Sequence, residues 1–518
     1  MSKARTVSSI VFALLLALCS AASAQTPLSS DADIIPGRYI IVYRNPQPAQ
    51  SAQHIAAAGG SMLRLHPSAG IAIAATADGP AFERAMRSRP EVRYVLHDRL
   101  VHAHTITIGR APQPVTARPI RSPQNDSPAS LPGYYYADTP QGWAVKQVGG
   151  YGGGIAGGYG GGIANSPHGP WDITLGRGVR IAVLDSGVDE SHPSIAPNLA
   201  LNLTEVNQSA LPSACDDGSP QDQQGHGTWV ASLAAGSSSA GEVIGVAPQA
   251  SILNIKVLQR MPATGSGTTA SLCEGGDATG LLSWVLSGIA DAVANHADVI
   301  VLSLGVMVDM RTGEGAGLMA SFDSATYAAT QAGAVVIAAA GNDGYTYSNS
   351  TYAELPAQSR SVLAIAATTN PACAETSSVT APCVPSPSSV AYYSNRGAML
   401  NALAAPGGSY PEGPDAGVSG FVRGACSRGL PHTTDGPPAD TAHSLGCFAL
   451  GHAAYIQAMG TSASAPLAAG VAALLRAAHP EWDVSTLVAR LRASALVTPQ
   501  LTHAGVGGMV NAAAALGM

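Results

Sequence analysis

The chain has 518 residues, a formal net charge of −7 and 11% charged residues, well below the ~25% of typical globular domains. Its length exceeds that of one average domain and allows a large buried core. The sequence carries no run of lysines or arginines, which argues against nucleic-acid binding, since that function depends on a basic surface.

The first residues predict a secretory signal peptide over 1–24. Lys3 and Arg5 precede the short apolar run "IVFALLLAL", and Ala22-Ser23-Ala24 forms a small-residue cleavage site. The apolar run is too short to span a membrane. We therefore expect a secreted protein, extracellular or periplasmic, without a membrane anchor once the signal is removed.

Residues 34–100 predict a compact α+β unit. Its predicted strands are "IIPGRYIIVYR", "SMLRLH", "GIAIAATA" and "EVRYVLHD", and its predicted helices are "SAQHIAAAGG" and "PAFERAMRSRP". The resulting order β-α-β-β-α-β is the split βαβ, or ferredoxin-like, pattern. A fold of this kind does not by itself assign a function.

Two polar or glycine-rich stretches follow this unit. Residues 101–147 are rich in Pro, Ser and Gln and predict an exposed linker. The octapeptide "GGYGGGIA" then occurs twice, at 149–156 and 157–164, and so much glycine predicts a mobile loop. A phosphate-binding glycine loop is a weaker interpretation, because no predicted strand precedes it and no Lys-Ser/Thr pair follows.

From about residue 170 onward, apolar β-branched runs alternate with helical stretches. The predicted strands are "GVRIAVLD", "ASILNIKVL", "ADVIVLSLG", "GAVVIAAAGN" and "SVLAIAAT". Strands that are apolar on both faces indicate an α/β fold, a doubly wound and mainly parallel sheet flanked by helices. Ligands of such folds bind beyond the carboxyl ends of the strands.

The cysteines indicate an oxidising compartment. The chain has seven, of which Cys19 lies in the predicted signal peptide, and an even remainder in an exported protein predicts disulfide bonds. Fifteen pairings of the remainder are conceivable. We expect pairing between neighbours along the chain, namely Cys215–Cys273, Cys373–Cys383 and Cys426–Cys447.

Four polar side chains fall at the strand–helix edge where chemistry is expected. Asp185 ends the strand in "VLDSGVD", His226 precedes a helix in "GHGTWVASLAAG", Asn342 follows a strand in "AAAGN", and Ser462 opens an alanine-rich helix. Each alone has a structural explanation as a turn or capping residue. Together they supply a nucleophile, a base, a carboxylate that orients the base and an oxyanion donor, the set that acyl transfer needs.

The serine pair Ser462 and Ser464 can be separated by helix geometry. Proline is tolerated in a first helical turn, so Pro466 predicts that the helix starts close to Ser462. Ser464 then lies about 200° further round the helix and faces away from the site. Ser462 can attack while its own N–H and the Asn342 amide hold the oxyanion.

At these residues the sequence resembles the subtilisin-like serine proteases, the subtilase family. The matching motifs are "VLDSGVD", "GHGTWVASLAAG", "AAAGN" and "GTSASAPLAAG", and the resemblance covers roughly residues 132–518. It implies a triad of Asp185, His226 and Ser462 with Asn342 as oxyanion donor. It also implies a substrate-binding strand in "LSLG", formed by Ser303, Leu304 and Gly305.

The N-terminal unit resembles the inhibitor-type propeptide of that family. The resemblance implies that residues 25–104 assist folding and then block the cleft, with self-cleavage near His104 and a linker and maturation region at 105–131. The alternative is a permanent accessory domain, and the linker favours removal. No cofactor is required for the chemistry. Glu242 and the acidic loop 216–222 could supply oxygens to a structural calcium ion, but solvated acids explain them equally well.

Several departures from the family pattern bear on specificity. Trp229 stands where the family usually has His, and residues 407–457 form a large insertion before Ser462. Asp343, next to the oxyanion residue, suggests a mild preference for basic side chains before the cleaved bond. "GTSASAP" also resembles sedolisins, but His226 argues against them.

These observations predict a secreted serine endopeptidase that is made as a self-processing zymogen. Its expected partners are protein and peptide substrates and its own propeptide, with no nucleic acid. The alternative is a catalytically inactive relative that uses the cleft to bind peptides. An esterase of another fold is remote, because no G-x-S-x-G motif surrounds Ser462.

Overall fold

The computed structural model describes residues 33–45, 48–104, 142–152, 168–240, 243–369, 389–408, 422–429, 434–435, 447–449 and 453–518. The predicted signal peptide, the linker 105–131, Glu242 and the predicted pair Cys373–Cys383 lie outside these ranges. So does most of the "GGYGGGIA" repeat.

The described ranges contain strands and helices in alternation. The strands are β1 Ile34–Tyr43, β2 Gly60–His66, β3 Ile71–Thr76, β4 Val92–Ala103, β5 Arg180–Asp185, β6 Leu199–Thr204, β7 Ser251–Lys256, β8 Leu258–Arg260, β9 Ala278–Leu281, β10 Val299–Leu302, β11 Leu304–Asp309, β12 Val335–Ala339, β13 Tyr352–Leu355, β14 Val362–Thr369, β15 Ser389–Val390, β16 Leu403–Pro406, β17 Val422–Cys426, β18 Thr434–Asp435, β19 Cys447–Ala449 and β20 Ala454–Ala458. The helices are α1 Pro48–Ala57, α2 Gly79–Arg87, α3 Trp143–Val148, α4 Pro170–Ile173, α5 His226–Ala235, α6 Thr269–Glu274, α7 Leu282–Ala294, α8 Gly313–Gln331, α9 Thr461–Ala478, α10 Val484–Ala493, α11 Pro499–His503 and α12 Ala512–Ala515.

The N-terminal unit is an antiparallel sheet in the order β4-β1-β3-β2 with two helices. Side chains of a strand alternate between its faces. Accordingly Tyr39 and Ile41 of β1 pack with Phe82 of α2 in the unit's own small core. The intervening Ile40 and Val42 belong to a core shared with the rest of the chain. The unit therefore has two apolar faces. One of them is buried against the rest of the described chain, residues 142–518, which form the larger body.

The central sheet has the order β15-β14-β12-β10-β5-β7-β6, with β16 beside β14. Its neighbours run parallel except for the short edge strand β15. Residues of β5 alternate between two cores. Ile181 and Val183 pack on the side of α5 and α9, and Ala182 and Leu184 pack on the side of α7 and α8. Burial on both faces explains why the strands are apolar throughout.

The prediction of one mainly parallel sheet describes only this central layer. Strand β4 leaves the N-terminal unit and pairs antiparallel with β9 and β11, which makes a second, eight-stranded sheet shared by both parts of the chain. The predicted linker 101–147 is also wrong at both ends. β4 continues to Ala103, and α3 is a buried helix with Trp143 in the core. The segment "WAVKQV" is too short to display a helical period.

The insertion before α9 forms a sheet of its own from β17 to β20. It packs on α5 through Trp229, whose indole Nε1 donates to the carbonyl oxygen of Val422 at 3.2 Å. A Cβ at Gly424 would lie 2.4 Å from the Trp229 ring. The unusual tryptophan and the insertion are therefore parts of one contact.

Two further expectations concern the disulfide bonds and the question of a membrane-spanning helix. Cys215 and Cys273 form the predicted disulfide, with Cα atoms 5.4 Å apart, and Cys426 is also disulfide-bonded. The side chain of Cys447 is outside the described residues. Among the described helices, none has the length and apolar character needed to cross a membrane.

Candidate active site

The predicted site residues gather at the carboxyl edge of the central sheet. Asp185 is the last residue of β5, Ser303 follows β10, and Asn342 lies just beyond β12. α5 begins at His226, and Ser462 is the second residue of α9. Loops at this edge of parallel strands form the usual binding crevice of such sheets.

Asp185 orients the imidazole of His226. Its Oδ1 lies 2.7 Å from His226 Nδ1, and both side chains are buried. The same oxygen accepts the N–H of Ser186 at 2.7 Å. A carboxylate only accepts, so Nδ1 carries a proton, and in the neutral form of the ring Nε2 keeps its lone pair. Nε2 has no hydrogen-bond partner among the described residues.

Asp222 anchors the start of α5, a role that the sequence did not reveal. Its carboxylate accepts the N–H groups of Gly225 and Thr228 and the hydroxyl of Ser186. The segment before His226 is thereby tied to the end of β5. Burial raises the pKa of the Asp222 carboxyl, and these donors oppose that rise.

Thr461 determines how Asn342 points. Asn342 Oδ1 accepts the N–H of Thr461 at 2.9 Å and its hydroxyl at 2.8 Å. Since the amide oxygen is occupied by donors, the amide nitrogen must face the opposite way. Nδ2 accordingly donates to the carbonyl oxygen of His104 at 2.5 Å.

Helix α9 begins at Thr461, close to Ser462 as predicted, but Pro466 lies beyond its first turn, contrary to the prediction. Pro466 stands inside the helix and offers no N–H to the carbonyl of Ser462, one turn earlier. The hydroxyl of Ser303 donates to that carbonyl instead, at 3.1 Å. A residue of the predicted substrate strand thus compensates for the proline beside Ser462.

Ser462 is buried and contacts a peptide carbonyl rather than the histidine. Its Oγ donates to the carbonyl oxygen of His104 at 2.7 Å and lies 3.4 Å from the carbonyl oxygen of Ser303. No hydrogen bond joins Ser462 Oγ to His226 Nε2 in the described structure. Ser464 makes none of these contacts, and its buried hydroxyl has no partner among the described residues.

The end of β4 occupies the crevice as an extended peptide. Ala103 pairs with Leu304, and His102 pairs with Gly305, in antiparallel register. The N–H of His104 donates to the carbonyl oxygen of Ser303 at 3.1 Å. The predicted substrate residues Ser303, Leu304 and Gly305 therefore lie against residues 102–104 of the same chain.

The side chain of His104 enters a pocket that ends in Glu354. His104 Nε2 lies 2.9 Å from Glu354 Oε1. The sequence pointed to Asp343 as the charged residue here, but the Asp343 carboxylate contacts Asn395 at 3.2 Å. Burial raises the pKa of the Glu354 carboxyl, and the hydrogen bond from His104 opposes the rise.

Two carboxylates of the acidic loop 216–222, Asp216 and Asp222, already have donors within the chain. Asp216 is bound at 3.0 and 2.9 Å by the buried ammonium of Lys256, and Asp222 is engaged by α5. A cation with oxygen ligands would have to displace these donors. Within the described ranges, no three acidic, histidine or cysteine side chains cluster as a metal site.

Comparisons with known proteins agree with this geometry. The sequence profile of the subtilase family matches residues 176–513. Subtilisin E of Bacillus subtilis is 29% identical over 340 residues, which are 66% of this chain and 66% of that protein. The subtilisin of Bacillus pumilus is 30% identical over 340 residues, which are 66% of this chain and 91% of that protein.

Two solved structures share the fold. The epidermin leader peptide processing serine protease of Staphylococcus aureus superposes with a TM-score of 0.61 at 18% identity, covering 92% of this chain and 97% of that one. Fervidolysin of Fervidobacterium pennivorans, a keratinolytic enzyme, gives a TM-score of 0.60 at 20% identity, covering 95% of this chain and 62% of that one.

Proposed function

The chain belongs to the subtilase family, and we propose that it is a serine endopeptidase that cleaves peptide bonds through an acyl-enzyme. One observation carries the proposal. The carbonyl oxygen of His104, in an extended peptide paired with the strand that begins at Leu304, accepts hydrogen bonds from both Asn342 Nδ2 and Ser462 Oγ. A scissile carbonyl needs a nucleophile and an oxyanion donor at this position.

The chemistry follows from these positions. Ser462 Oγ turns from the carbonyl oxygen toward His226 Nε2, gives up its proton there and attacks the carbonyl carbon. Asp185 stabilises the imidazolium that forms. Asn342 Nδ2 and the N–H of Ser462, at the start of α9, hold the oxyanion. His226 then protonates the leaving amine, and a water molecule activated by the same base hydrolyses the ester.

The N-terminal unit acts in this proposal as a propeptide that occupies the cleft. Asp98 of β4 supports that role, because it accepts the N–H of Ser283 at 3.0 Å in the first turn of α7. A carboxylate favours a helix N-terminus, where N–H groups lack partners. Asp98 also pairs with Arg38 at 3.0 Å. The unit thus contributes a cap to a helix of the larger body, consistent with assistance in folding.

Self-processing would cut the bond between His104 and Thr105, which leaves residues 25–104 as the released segment. Export follows from the predicted signal peptide, and the bond between Cys215 and Cys273 suits an oxidising compartment. Acyl transfer by the triad requires no cofactor, and calcium stays a prediction.

The proposed activity is tested by digestion of casein with the exported protein and with Ser462→Ala. We expect hydrolysis by the wild-type protein and none by the variant. If neither digests casein while both bind peptides, the protein is the catalytically inactive peptide-binding relative instead.

A further inference from the structure

Glu354 has a place in the cleft that the triad chemistry does not explain. Its carboxylate is fully buried at the end of the pocket that receives His104, whose side chain is 3% exposed. A buried charge is costly unless it is paired. The partners of its two oxygens therefore indicate what the pocket is built to hold.

One oxygen is satisfied from within the larger body. The hydroxyl of Tyr347 donates to Glu354 Oε2 at 2.9 Å, and Asn395 Nδ2 lies 3.4 Å from the same oxygen. The other oxygen, Oε1, faces the pocket and has the His104 ring as its side-chain partner among the described residues. Departure of the N-terminal unit would leave Oε1 without this partner.

Two glycines make room for a ring against that carboxylate. A Cβ at Gly305 would lie 2.3 Å from His104 Nε2 and 2.6 Å from Glu354 Oε1. A Cβ at Gly341 would lie 2.2 Å from Asn395 Nδ2 and 3.2 Å from the carboxyl carbon of Glu354. No side chain could be added at either position without displacing the carboxylate, its hydrogen-bond partner or the ring.

We infer that Glu354 is the specificity-determining residue of the cleft and that the enzyme prefers histidine immediately before the cleaved bond. The inference rests on the proposed peptidase function. An imidazole can both donate and accept a hydrogen bond, so it pairs with either protonation state of the carboxyl. An apolar side chain leaves Oε1 unpaired, and lysine or arginine is longer than the side chain that already contacts it.

The first test compares peptides Leu-Val-His-Ala-X-p-nitroanilide, which follow residues 100–104, with X as His, Phe, Lys or Arg. For the processed wild-type enzyme we expect kcat/KM to favour His over Phe by about 10- to 100-fold, the range of a buried hydrogen bond to a charged group. Glu354→Leu should bring the ratio near one, and Glu354→Gln should lower it about fivefold.

Glu314→Gln is the matched control. Glu314 pairs with Arg99 of β4 at 3.2 Å but does not touch His104, so this variant should keep the wild-type ratio. A wild-type preference for Phe, Lys or Arg, or an unchanged ratio in both Glu354 variants, would overturn the inference.

A second measurement does not depend on catalysis. In the intact Ser462→Ala chain, His104→Phe and Glu354→Gln are combined in a double-mutant cycle of urea unfolding. We expect their effects on the unfolding equilibrium constant to be coupled about five- to tenfold. Additive effects would show that His104 and Glu354 do not interact and would overturn the inference. Coupling without hydrolysis of any peptide would refute the peptidase proposal and leave the imidazole selectivity of the pocket standing.

Discussion

At the scale of single residues, Asn342 is the side chain whose contribution can be isolated most cleanly. Its Nδ2 donates to the carbonyl oxygen beside Ser462. Asn342→Ala removes this donor, and we expect kcat to fall about 100- to 1,000-fold with little change in KM, as for the loss of one oxyanion donor. Steady-state kinetics on a peptide anilide measure the effect. A loss below about tenfold would contradict the assigned role.

Thr461 is a positioning residue for that amide. Its hydroxyl donates to Asn342 Oδ1 and accepts the N–H of Gly341. Thr461→Val should lower kcat about tenfold at nearly constant KM, the effect of one lost hydrogen bond. Thr461→Ser, which keeps the hydroxyl, should restore kcat. If both variants lower the melting temperature alike and leave kcat unchanged, the role is merely structural.

The sequence anticipated some of these positions and missed others for a physical reason. Two of these positions, Asp185 and Asn342, lie at or just beyond the end of a strand. The other two, His226 and Ser462, lie at the start of a helix. Such positions can be recognised from local sequence patterns. Glu354 lies inside β13, a strand that the sequence did not predict, and no local signal there marks a buried carboxylate. Its role depends on a contact with the side chain of His104, which lies 250 residues earlier in the chain.

At the scale of secondary structure elements, α9 is a buried helix that holds Ser462 in its first turn. Gly470 lies in its middle, where a Cβ would be 2.5 Å from the Cβ of Val246 and 3.0 Å from the carbonyl oxygen of Ala234. Helix propensity alone predicts that Gly470→Ala stabilises the protein by about 1 kcal/mol. The close backbone approach predicts the opposite sign, since overpacking costs about 1–3 kcal/mol.

We expect Gly470→Ala to lower the free energy of unfolding by about 1–2 kcal/mol when it is measured by urea on the Ser462→Ala chain. Gly313→Ala is the control, because Gly313 opens α8 and a Cβ there meets nothing within 4 Å. The control should change the free energy of unfolding by no more than about 0.5 kcal/mol. A stabilised Gly470→Ala variant would refute the tight contact of α9 with the segment around Val246.

Element types were more predictable than element boundaries. Apolar β-branched runs identified β5, β7, β10, β12 and β14, because burial on both faces leaves a strong pattern. The start of α9 was predicted correctly, close to Ser462, but the argument for it was wrong, because Pro466 stands inside the helix and Ser303 supplies the missing donor. That compensation comes from the residue between β10 and β11 and has no trace in the sequence around Pro466.

At the scale of the whole molecule, the contact between the N-terminal unit and the larger body should weaken in acid. His66 of β2 is buried, and its Nε2 lies 3.0 Å from the hydroxyl of Ser287 on α7. Burial lowers the pKa of His66 from 6.5 to about 4, aided by Arg64 and opposed by Asp291. Between these pH values the unfolded chain holds a proton that the folded chain does not.

Above about pH 6.5 His66 therefore makes no unfavourable contribution to the free energy of unfolding. As the pH falls toward about 4, that free energy decreases by up to about 3 kcal/mol. In the Ser462→Ala chain, the free energy of unfolding should fall over this range more steeply than in the same chain with His66→Gln. Parallel curves for the two proteins would contradict the attribution of this pH dependence to His66.

The arrangement of the two units could be predicted only in part. The order of elements in each unit follows from local patterns and from turn residues. The sheet that joins the units depends on β4 pairing with β9 and β11, which lie well over a hundred residues further along the chain. Backbone pairing of this kind involves no particular side chain, so the sequence carries little record of it.

The most direct test of the central claim is the intact mass of the exported protein beside its Ser462→Ala variant. We expect the wild-type preparation to contain a fragment that ends at His104 and a mature chain that begins at Thr105. The variant should remain uncut at that bond. Identical processing of both proteins, or a wild-type cut that leaves the bond after His104 intact, would contradict the assignment of Ser462 as the nucleophile that acts on this carbonyl.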